Sequence, residues 1–367
     1  MRSAQGGLYI LWGEIMLKRI AAAIASLAIT ILACLAISTA YAADAGRVLG
    51  IGFTGRLVAN LDQAVAYYEA LGFKRDPAAD SAWRKDDVVE RLYGVSGIET
   101  RMAKMAINSN VSNGNFVVYL REVRGVARNN LAVHAAWEPG ATHFGLVVPD
   151  AHGLWAELQR DNQLRARSWG EVLVGPPGAE RGMLAYVTDP DGLDIEIIDQ
   201  RPATPAQNGR PAQPARPPGV SHVGLIIADA DKARAFYETL FGGVWQATEA
   251  PWMEGDFTDS AVGGHGNILR FFNLALPEAY APQSRINLEL VEFQNRKKPL
   301  LKREITDIGV AYLGFQVDDL DAFLPRALAA GATQVSAAGI VTMKSGTREI
   351  MLRDPDAGAF VLLYQMP

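Results

Sequence analysis

Cysteine is almost absent from this chain. Of 367 residues only Cys34 is one, and it lies inside an apolar run that reads as an export signal. Cleavage after that signal leaves a mature chain with no cysteine, which excludes disulfides, thiolate catalysis and cysteine-based zinc sites. An excess of basic residues is missing too. The chain carries 35 Lys and Arg against 40 Asp and Glu, and removing Arg2, Lys18, Arg19 and Glu14 with residues 1–42 leaves 32 against 39, a net charge of −7. A protein of this charge has no electrostatic attraction to nucleic acid or to an anionic bilayer. The remaining composition, 49% hydrophobic and 20% charged, is that of an ordinary globular chain long enough for two domains.

The export reading rests on Lys18-Arg19, the apolar run from Ile20 to Ile37, and Ser38-Thr39-Ala40-Tyr41-Ala42, which ends in the small-x-small pattern that signal peptidase accepts. Cleavage is expected after Ala42, so residues 1–42 form the signal peptide. Residues 1–15 carry no recognisable signal, and Met16 makes the better start. The mature protein is then expected to be periplasmic or secreted, with no membrane attachment. The competing reading is an uncleaved anchor, because about 18 apolar residues can just span a bilayer.

An internal repeat organises the rest. Leu61-Asp62-Gln63-Ala64-Val65-Ala66-Tyr67-Tyr68-Glu69-Ala70-Leu71-Gly72-Phe73 recurs 169 residues later as Ala230 to Gly242. At the same shift Trp83 matches Trp252, Gly94 matches Gly263 and Gly97 matches Gly266. Duplication is the simplest explanation. A weaker repeat lies within each half: His143 to Asp150 and Val310 to Asp319 both read as a strand leading into a short amphipathic helix. The chain thus divides into four units, each a strand, a helix and several short strands separated by turns. Residues 201–219, rich in Pro, Ala, Gln and Arg, read as a semi-extended linker between halves at 46–200 and 220–367.

Two stretches, Thr142-His143-Phe144-Gly145-Leu146 and Ser221-His222-Val223-Gly224-Leu225, place a histidine on a strand that leads to Asp150 or Asp229 and a helix. With Asp189-Pro190-Asp191-Gly192-Leu193-Asp194-Ile195-Glu196, they resemble the vicinal oxygen chelate superfamily, which includes glyoxalase I, bleomycin resistance proteins, epimerases and extradiol dioxygenases. The resemblance covers nearly the whole mature chain. It implies an α+β fold of four βαβββ modules, two glyoxalase-like domains, and curved mixed sheets that form cups around a divalent metal. A four-module chain completes its cups without a partner subunit, so a monomer is expected.

In that superfamily each module offers one ligand from its first strand and one from its last. Carried onto this chain, unit two has His143 and Glu196, and unit three has His222 and Glu289. Unit one has Phe53 and Tyr119 instead, and unit four has Tyr312 and Val361. If each half built its own site, each would hold only two ligands, short of a two-His-one-carboxylate triad. If unit two pairs with unit three, as in fused four-module glyoxalases, one site holds His143, Glu196, His222 and Glu289 and the cup of units one and four holds none; this pairing wastes no ligand and is the one expected. Such a set suits one Zn, Ni, Fe, Mn or Co ion, with positions left for two adjacent oxygens of a small-molecule substrate. Glu196 or Glu289 would then act as the base in glyoxalase- or epimerase-like lyase or isomerase chemistry. A non-catalytic drug- or metabolite-binding protein and an extradiol-type dioxygenase are the alternatives.

Other residues read as structural. His134 and His152 fit no ligand position, and His265 lies in the turn Gly263-Gly264-His265-Gly266. Trp83 and Trp252 are expected near the cup rims, and Tyr67, Tyr68, Phe236 and Tyr237 in helix cores. The cup of units one and four is expected to be apolar, either filled or open to a ligand without metal.

Overall fold

Four strand-to-helix junctions share one local device. In each, a strand residue at a cup position is followed seven residues later by an Asn or Asp that caps a helix: Asn60 after Phe53, Asp150 after His143, Asp229 after His222 and Asp319 after Tyr312. Each cap is extended, with φ near −140°, and its side chain accepts a hydrogen bond from the amide three residues on. That satisfies an otherwise orphaned donor of the first helical turn, an arrangement worth about 1 kcal/mol.

The computed structural model describes residues 46–78, 81–109, 114–131, 135–174, 182–200, 217–242, 244–245, 250–276, 286–296 and 302–367. The expected export signal, His134 and residues 201–216 of the expected linker lie outside them. The first unit comprises β1 (Val48–Val58), α1 (Leu61–Ala70), β2 (Lys74–Arg75), α2 (Asp87–Tyr93), β3 (Glu99–Ser109) and β4 (Asn115–Arg124). The second comprises β5 (Thr142–Val148), α3 (Ala151–Arg160), β6 (Val172–Val174), β7 (Gly182–Thr188) and β8 (Asp194–Asp199). The third runs through β9 (Gly219–Ile227), α4 (Ala230–Phe241), β10 (Val244–Trp245), α5 (Asp256–Val262), β11 (Leu269–Ala275) and β12 (Asn287–Phe293). The fourth has β13 (Ala311–Val317), α6 (Leu320–Ala329), β14 (Thr333–Gln334), β15 (Val341–Thr342), β16 (Arg348–Arg353) and β17 (Phe360–Gln365). The fold is α+β, a curved mixed sheet with few helices. Gly219, placed in the linker from sequence, is already part of β9 and pairs with Asn108.

Short helices α2 and α5 were not expected, and they explain why two glycines recur. Gly94 and Gly263 close these helices in the left-handed conformation, with φ of 65° and 70°, which costs glycine nothing and any residue with a Cβ something.

Strand pairing divides the units in a way the chain order hides. The first strand of each unit lies parallel to the last: β1 to β4, β5 to β8, β9 to β12 and β13 to β17. First strands then pair antiparallel across units, β5 with β9 and β1 with β13. Units two and three therefore share one set of strands, β6-β7-β8-β5-β9-β12-β11-β10, and units one and four share the other. A two-residue parallel contact between β3 and β9 joins the sets, and residues 47–367 form one compact unit.

Alternation along the strands sends every second residue to the helix side. Phe144, Leu146, Ile195, Ile197, Val223, Leu225, Leu288 and Leu290 all enter the same large core, each contributing roughly 1.5–3 kcal/mol of apolar burial. Tyr67, Tyr68, Phe236 and Tyr237 are buried there with them. The Tyr68 hydroxyl donates to Asp189 (3.2 Å), and Tyr237 sits beside Asp354. Asp191 accepts from the Ala59 amide (3.0 Å), and Asp356 accepts from the amides of Ala228 (2.7 Å) and Asp229 (3.1 Å). The two Asp-Pro-Asp turns thus staple unit two to unit one and unit four to unit three.

Candidate metal centre

Residues that alternate away from the helices meet in the hollow of the strand set that units two and three share. On β5 these are His143 and Gly145, on β8 Asp194 and Glu196, on β9 His222 and Gly224, and on β12 Glu289 and Val291. In the β5–β9 pair His143 lies opposite Gly224, and Gly145 lies opposite His222. The glycines are needed there: a Cβ on Gly224 would lie 1.9 Å from the His143 ring, and one on Gly145 would lie 2.2 Å from the His222 ring. Each histidine lies over the neighbouring strand's glycine, which lets the ring centroids approach to 5.4 Å.

All four residues expected from sequence are therefore brought to one place. One ligand atom each of His143, His222 and Glu289 lies within 4.8 Å of the others. Glu196 stands beside this triad, its Oε2 3.0 Å from His222 Nε2, while Glu289 Oε1 is 3.3 Å from His143 Nε2. The side chains are nearly withdrawn from solvent, 4% exposed for His143 and 10–14% for the rest.

These short distances are not well-directed hydrogen bonds, because Nε2 of both histidines is buried without a hydrogen-bond partner. Buried polar atoms left unpaired are costly. Here two imidazole nitrogens and a carboxylate point at common space instead of at each other, the arrangement that a cation of coordination type N/O would satisfy. On the far side of the His222 ring, Nδ1 lies 3.0 Å from Ser221 Oγ, which donates to the Gly145 carbonyl (3.3 Å). That orients the ring with Nε2 toward the hollow, the outer support a metal-binding histidine requires.

Electrostatics fit the same picture. Burial alone would lower the His222 pKa, but contact with Glu196 and the charges of Glu289 and Glu196 push it up to about 9. Burial would raise Glu289, yet contact with His143 and the nearby His222 hold it below the usual carboxylate range. The carboxylates thus favour positive charge at this point, the charge that a bound cation would supply.

Around them lies a cavity of about 290 Å³ lined by apolar side chains from β7, β9, β11, β12 and α5, with Tyr186 among its walls. Sequence reasoning missed Tyr186. It lies directly across from Glu196 in the β7–β8 pair, its ring meets His143 edge-on at 5.6 Å, and its hydroxyl is hydrogen-bonded to Glu196. The alternation of Gly182-Met183-Leu184-Ala185-Tyr186, with Met183 and Ala185 in the core, could have placed it on the cup face once the strand was known.

The corresponding positions of the other strand set hold rings. Phe53 faces Gly314 and Tyr312 faces Gly55, in the same reciprocal arrangement. Tyr119 pairs with Gly55 as Glu196 does with Gly145. The fourth position is Leu362, paired with Gly314, and not Val361. Val361 points into the helix-side core, and Leu362 packs with Tyr312, Phe360 and Tyr364. The cause is one extra turn residue: the Asp189 amide bonds to the carbonyl of Leu193, but the Asp354 amide reaches Ala359. Phe53 packs against Tyr119 at 4.9 Å and Tyr364 at 5.2 Å, so this cup is filled by aromatic side chains.

Trp83 lies under Arg124 and Trp252 under Arg270, at 4.3 and 4.4 Å. His152 contacts Glu171, and His265 packs against Trp169 at a tilt, with ring centroids 4.3 Å apart. None of these side chains joins the donor cluster.

Comparison with known proteins points to the same superfamily. Residues 221–350 match the model of the Glyoxalase/Bleomycin resistance protein/Dioxygenase superfamily. The chain resembles this superfamily over that segment. A probable chloroplastic lactoylglutathione lyase of Arabidopsis thaliana is 24% identical over 188 residues, covering 50% of this chain and 42% of that protein. A second lactoylglutathione lyase of the same plant is 25% identical over 189 residues, 50% of this chain and 52% of its own. The chain thus spans about half the length of the curated relatives it matches. The crystal structure of glyoxalase I from Zea mays superposes with a TM-score of 0.51 over 88% of this chain and 92% of that one, at 18% identity, which shows a shared fold.

Proposed function

We propose that this protein is an exported, metal-dependent enzyme that moves a proton at a carbon next to a carbonyl in a small oxygenated substrate, a lyase or isomerase of the glyoxalase or epimerase kind. The observation that carries the reading is the convergence of two unpartnered histidine nitrogens and Glu289 at the floor of a cavity, with a further carboxylate, Glu196, beside them. His143, His222 and Glu289 would hold the ion, with Glu196 as the fourth ligand or the base. A divalent ion bound there supplies Lewis acidity toward two adjacent substrate oxygens.

The chain's own residues do the rest. Glu196 lines the cavity and is the carboxylate outside the triad, so it is the better placed of the two to take the proton. The Tyr186 hydroxyl donates to it and fixes its rotamer. As the proton leaves carbon, the bond's electron pair moves toward the carbonyl oxygen. Return of the proton to the neighbouring carbon, or to the other face of the same one, completes an isomerisation or an epimerisation. The apolar walls keep water away from the interval between these steps.

The test is elemental analysis of purified protein and of a His143→Ala/His222→Ala variant, combined with hydrogen–deuterium exchange of α-hydroxycarbonyl compounds followed by NMR. One divalent ion per chain in the native protein, none in the variant, and exchange only with the former are expected. Equal, negligible metal in both would overturn the reading. The same triad matches the two-His-one-carboxylate set of non-haem iron oxygenases, and Fe(II)-dependent oxygen uptake with catechols would favour that second reading.

A further inference from the structure

The walls of the histidine cup carry more information than its floor. Among the described residues the cavity is lined by Ile226, Met253, Phe257, Leu269, Phe271 and Val291 together with other apolar groups, and its charged lining residues are Asp194, Glu196, Glu289 and His143. No Lys or Arg is among these lining residues. The arginines near its edge are engaged elsewhere: Arg167 is paired with Asp194 (2.5 Å), Arg270 with Glu292 (2.8 Å), and Arg296 is bound to Asn267 Oδ1 (2.7 Å). Arg270 and Arg296 also lie over the Trp252 and Trp137 rings, each at 4.4 Å.

Aromatic side chains collect at the same edge. Phe257 and Phe271, both cavity-lining, are 45% and 40% exposed, and Trp252 beside Met253 is 37% exposed. Trp169, 49% exposed, is tied to α5 by the hydrogen bond its amide donates to the Ser260 carbonyl (2.9 Å) and packs against His265. Large apolar groups left exposed together mark a binding surface. The cavity, open at this edge, has a volume of about 290 Å³, which corresponds to roughly ten water-sized groups.

We infer that the substrate of this site is an electrically neutral, hydrophobic molecule with a ring or short alkyl body and two adjacent oxygens, and not the adduct of a charged thiol tripeptide. The adjacent oxygens rest on the proton-transfer reading above; the neutral hydrophobic body rests on the walls. A tripeptide adduct brings two carboxylates and an ammonium, and the carboxylates would find no cationic partner among the described lining residues. Burying an unpaired charge against such walls is strongly unfavourable. A phenyl or alkyl body gains from the same walls, and Phe257 and Phe271 would close on it by edge or face contact.

Three probes separate the possibilities: 2-hydroxyacetophenone, hydroxyacetone, and the hemithioacetal of phenylglyoxal with glutathione. Binding to chelator-treated, metal-free protein is read by ligand-observed NMR, and C–H exchange in deuterium oxide by metal-loaded protein. In the binding experiment 2-hydroxyacetophenone is expected to bind at least tenfold more tightly than either of the others. Phe257→Ala and Phe271→Ala, at positions exposed enough to tolerate truncation, are expected to cut that preference severalfold while metal content stays at one ion per chain. Equal or tighter binding of hydroxyacetone or of the glutathione adduct would overturn the inference, as would an unchanged preference in both variants. If 2-hydroxyacetophenone binds preferentially but no probe exchanges its proton, the proton-transfer reading falls and the hydrophobic class stands.

Discussion

The two strand sets of this protein share one pairing scheme and differ in four side chains at their centres. In one, His143, His222, Glu196 and Glu289 surround a hollow. In the other, Phe53, Tyr312, Tyr119 and Leu362 occupy the equivalent places in the strand register. Both keep the glycine that lies under each large ring, Gly145 and Gly224 in the first and Gly55 and Gly314 in the second. The glycines therefore serve the close approach of two central strands carrying rings, whether the rings bind metal or pack. The difference extends to the surroundings: the aromatic cup packs into a cluster running from Leu57 to Tyr364, whereas the apolar cluster over the histidine cup is small, Ala141, Ile226, Leu269, Val291 and Phe293, and leaves a cavity.

The sharpest way to break this contrast is to exchange roles at the ring positions. His143→Ala or His222→Ala should take metal content from one ion per chain to near zero, measured by elemental analysis, with the fold retained. Phe53→Ala should do the reverse. It should leave metal content unchanged and cost about 3–5 kcal/mol in denaturant unfolding, because Phe53 packs with Tyr119, Tyr364 and Tyr312. Equal effects of both kinds of variant on metal content would remove the distinction between the cups.

The glycines come next. Gly224→Ala places a Cβ 1.9 Å from the His143 ring, and Gly55→Ala places one 1.9 Å from Tyr312. Each should destabilise by about 1–3 kcal/mol through forced displacement of a ring. Only the first should also weaken metal binding, by tenfold or more in a chelator competition.

Titration gives two smaller effects. In the metal-free protein His222 is pushed up to about 9 from 6.5, so its proton must leave before Nε2 can hold a metal. Metal affinity should rise by up to about tenfold per pH unit toward 9 and flatten above it, with about one proton released per ion in calorimetry across buffers. The sign for stability is opposite. A raised folded-state pKa stabilises the metal-free fold fully below about 6.5, and that contribution is lost as pH climbs through 9. A flat affinity between pH 7 and 9 would mean that His222 is already neutral.

The aromatic cup has its own titrating group. Burial raises Glu349 to about 7, with Arg121 opposing the shift. The folded chain then holds a proton between about 4.5 and 7 that the unfolded chain releases, so stability should fall as pH rises through that window. Glu349→Gln should abolish that slope, gaining on the order of 1–2 kcal/mol at pH 8, read from unfolding midpoints at pH 5 and pH 8.

Much of the site was legible because local rules govern it. A histidine two residues before a glycine and seven before a capping Asp defines strand, close approach and helix start in one short stretch. The carboxylates Glu196 and Glu289 followed from the last-strand ligand position that the resemblance implied. Leu362 was misread as Val361 because the register of β17 depends on one extra residue in the turn after Asp354, which no periodicity displays. Tyr186, Arg121 and Glu349 were missed for a related reason. Their importance comes from what lies across the strand or cup from them, not from their neighbours in the chain.

The sequence by itself determined the repeat, the four strand-to-helix junctions, and which units carry imidazole and carboxylate groups, since those depend on residue identity and on interactions within a few residues. The ligand pattern also favours pairing unit two with unit three; only the tertiary structure decided the register in which β5 lies against β9 and β1 against β13, and that one cup stays open while the other is packed with rings. Hydrogen bonding between strands more than seventy residues apart along the chain sets which faces meet. The volumes of the meeting side chains then decide whether a space remains for a ligand.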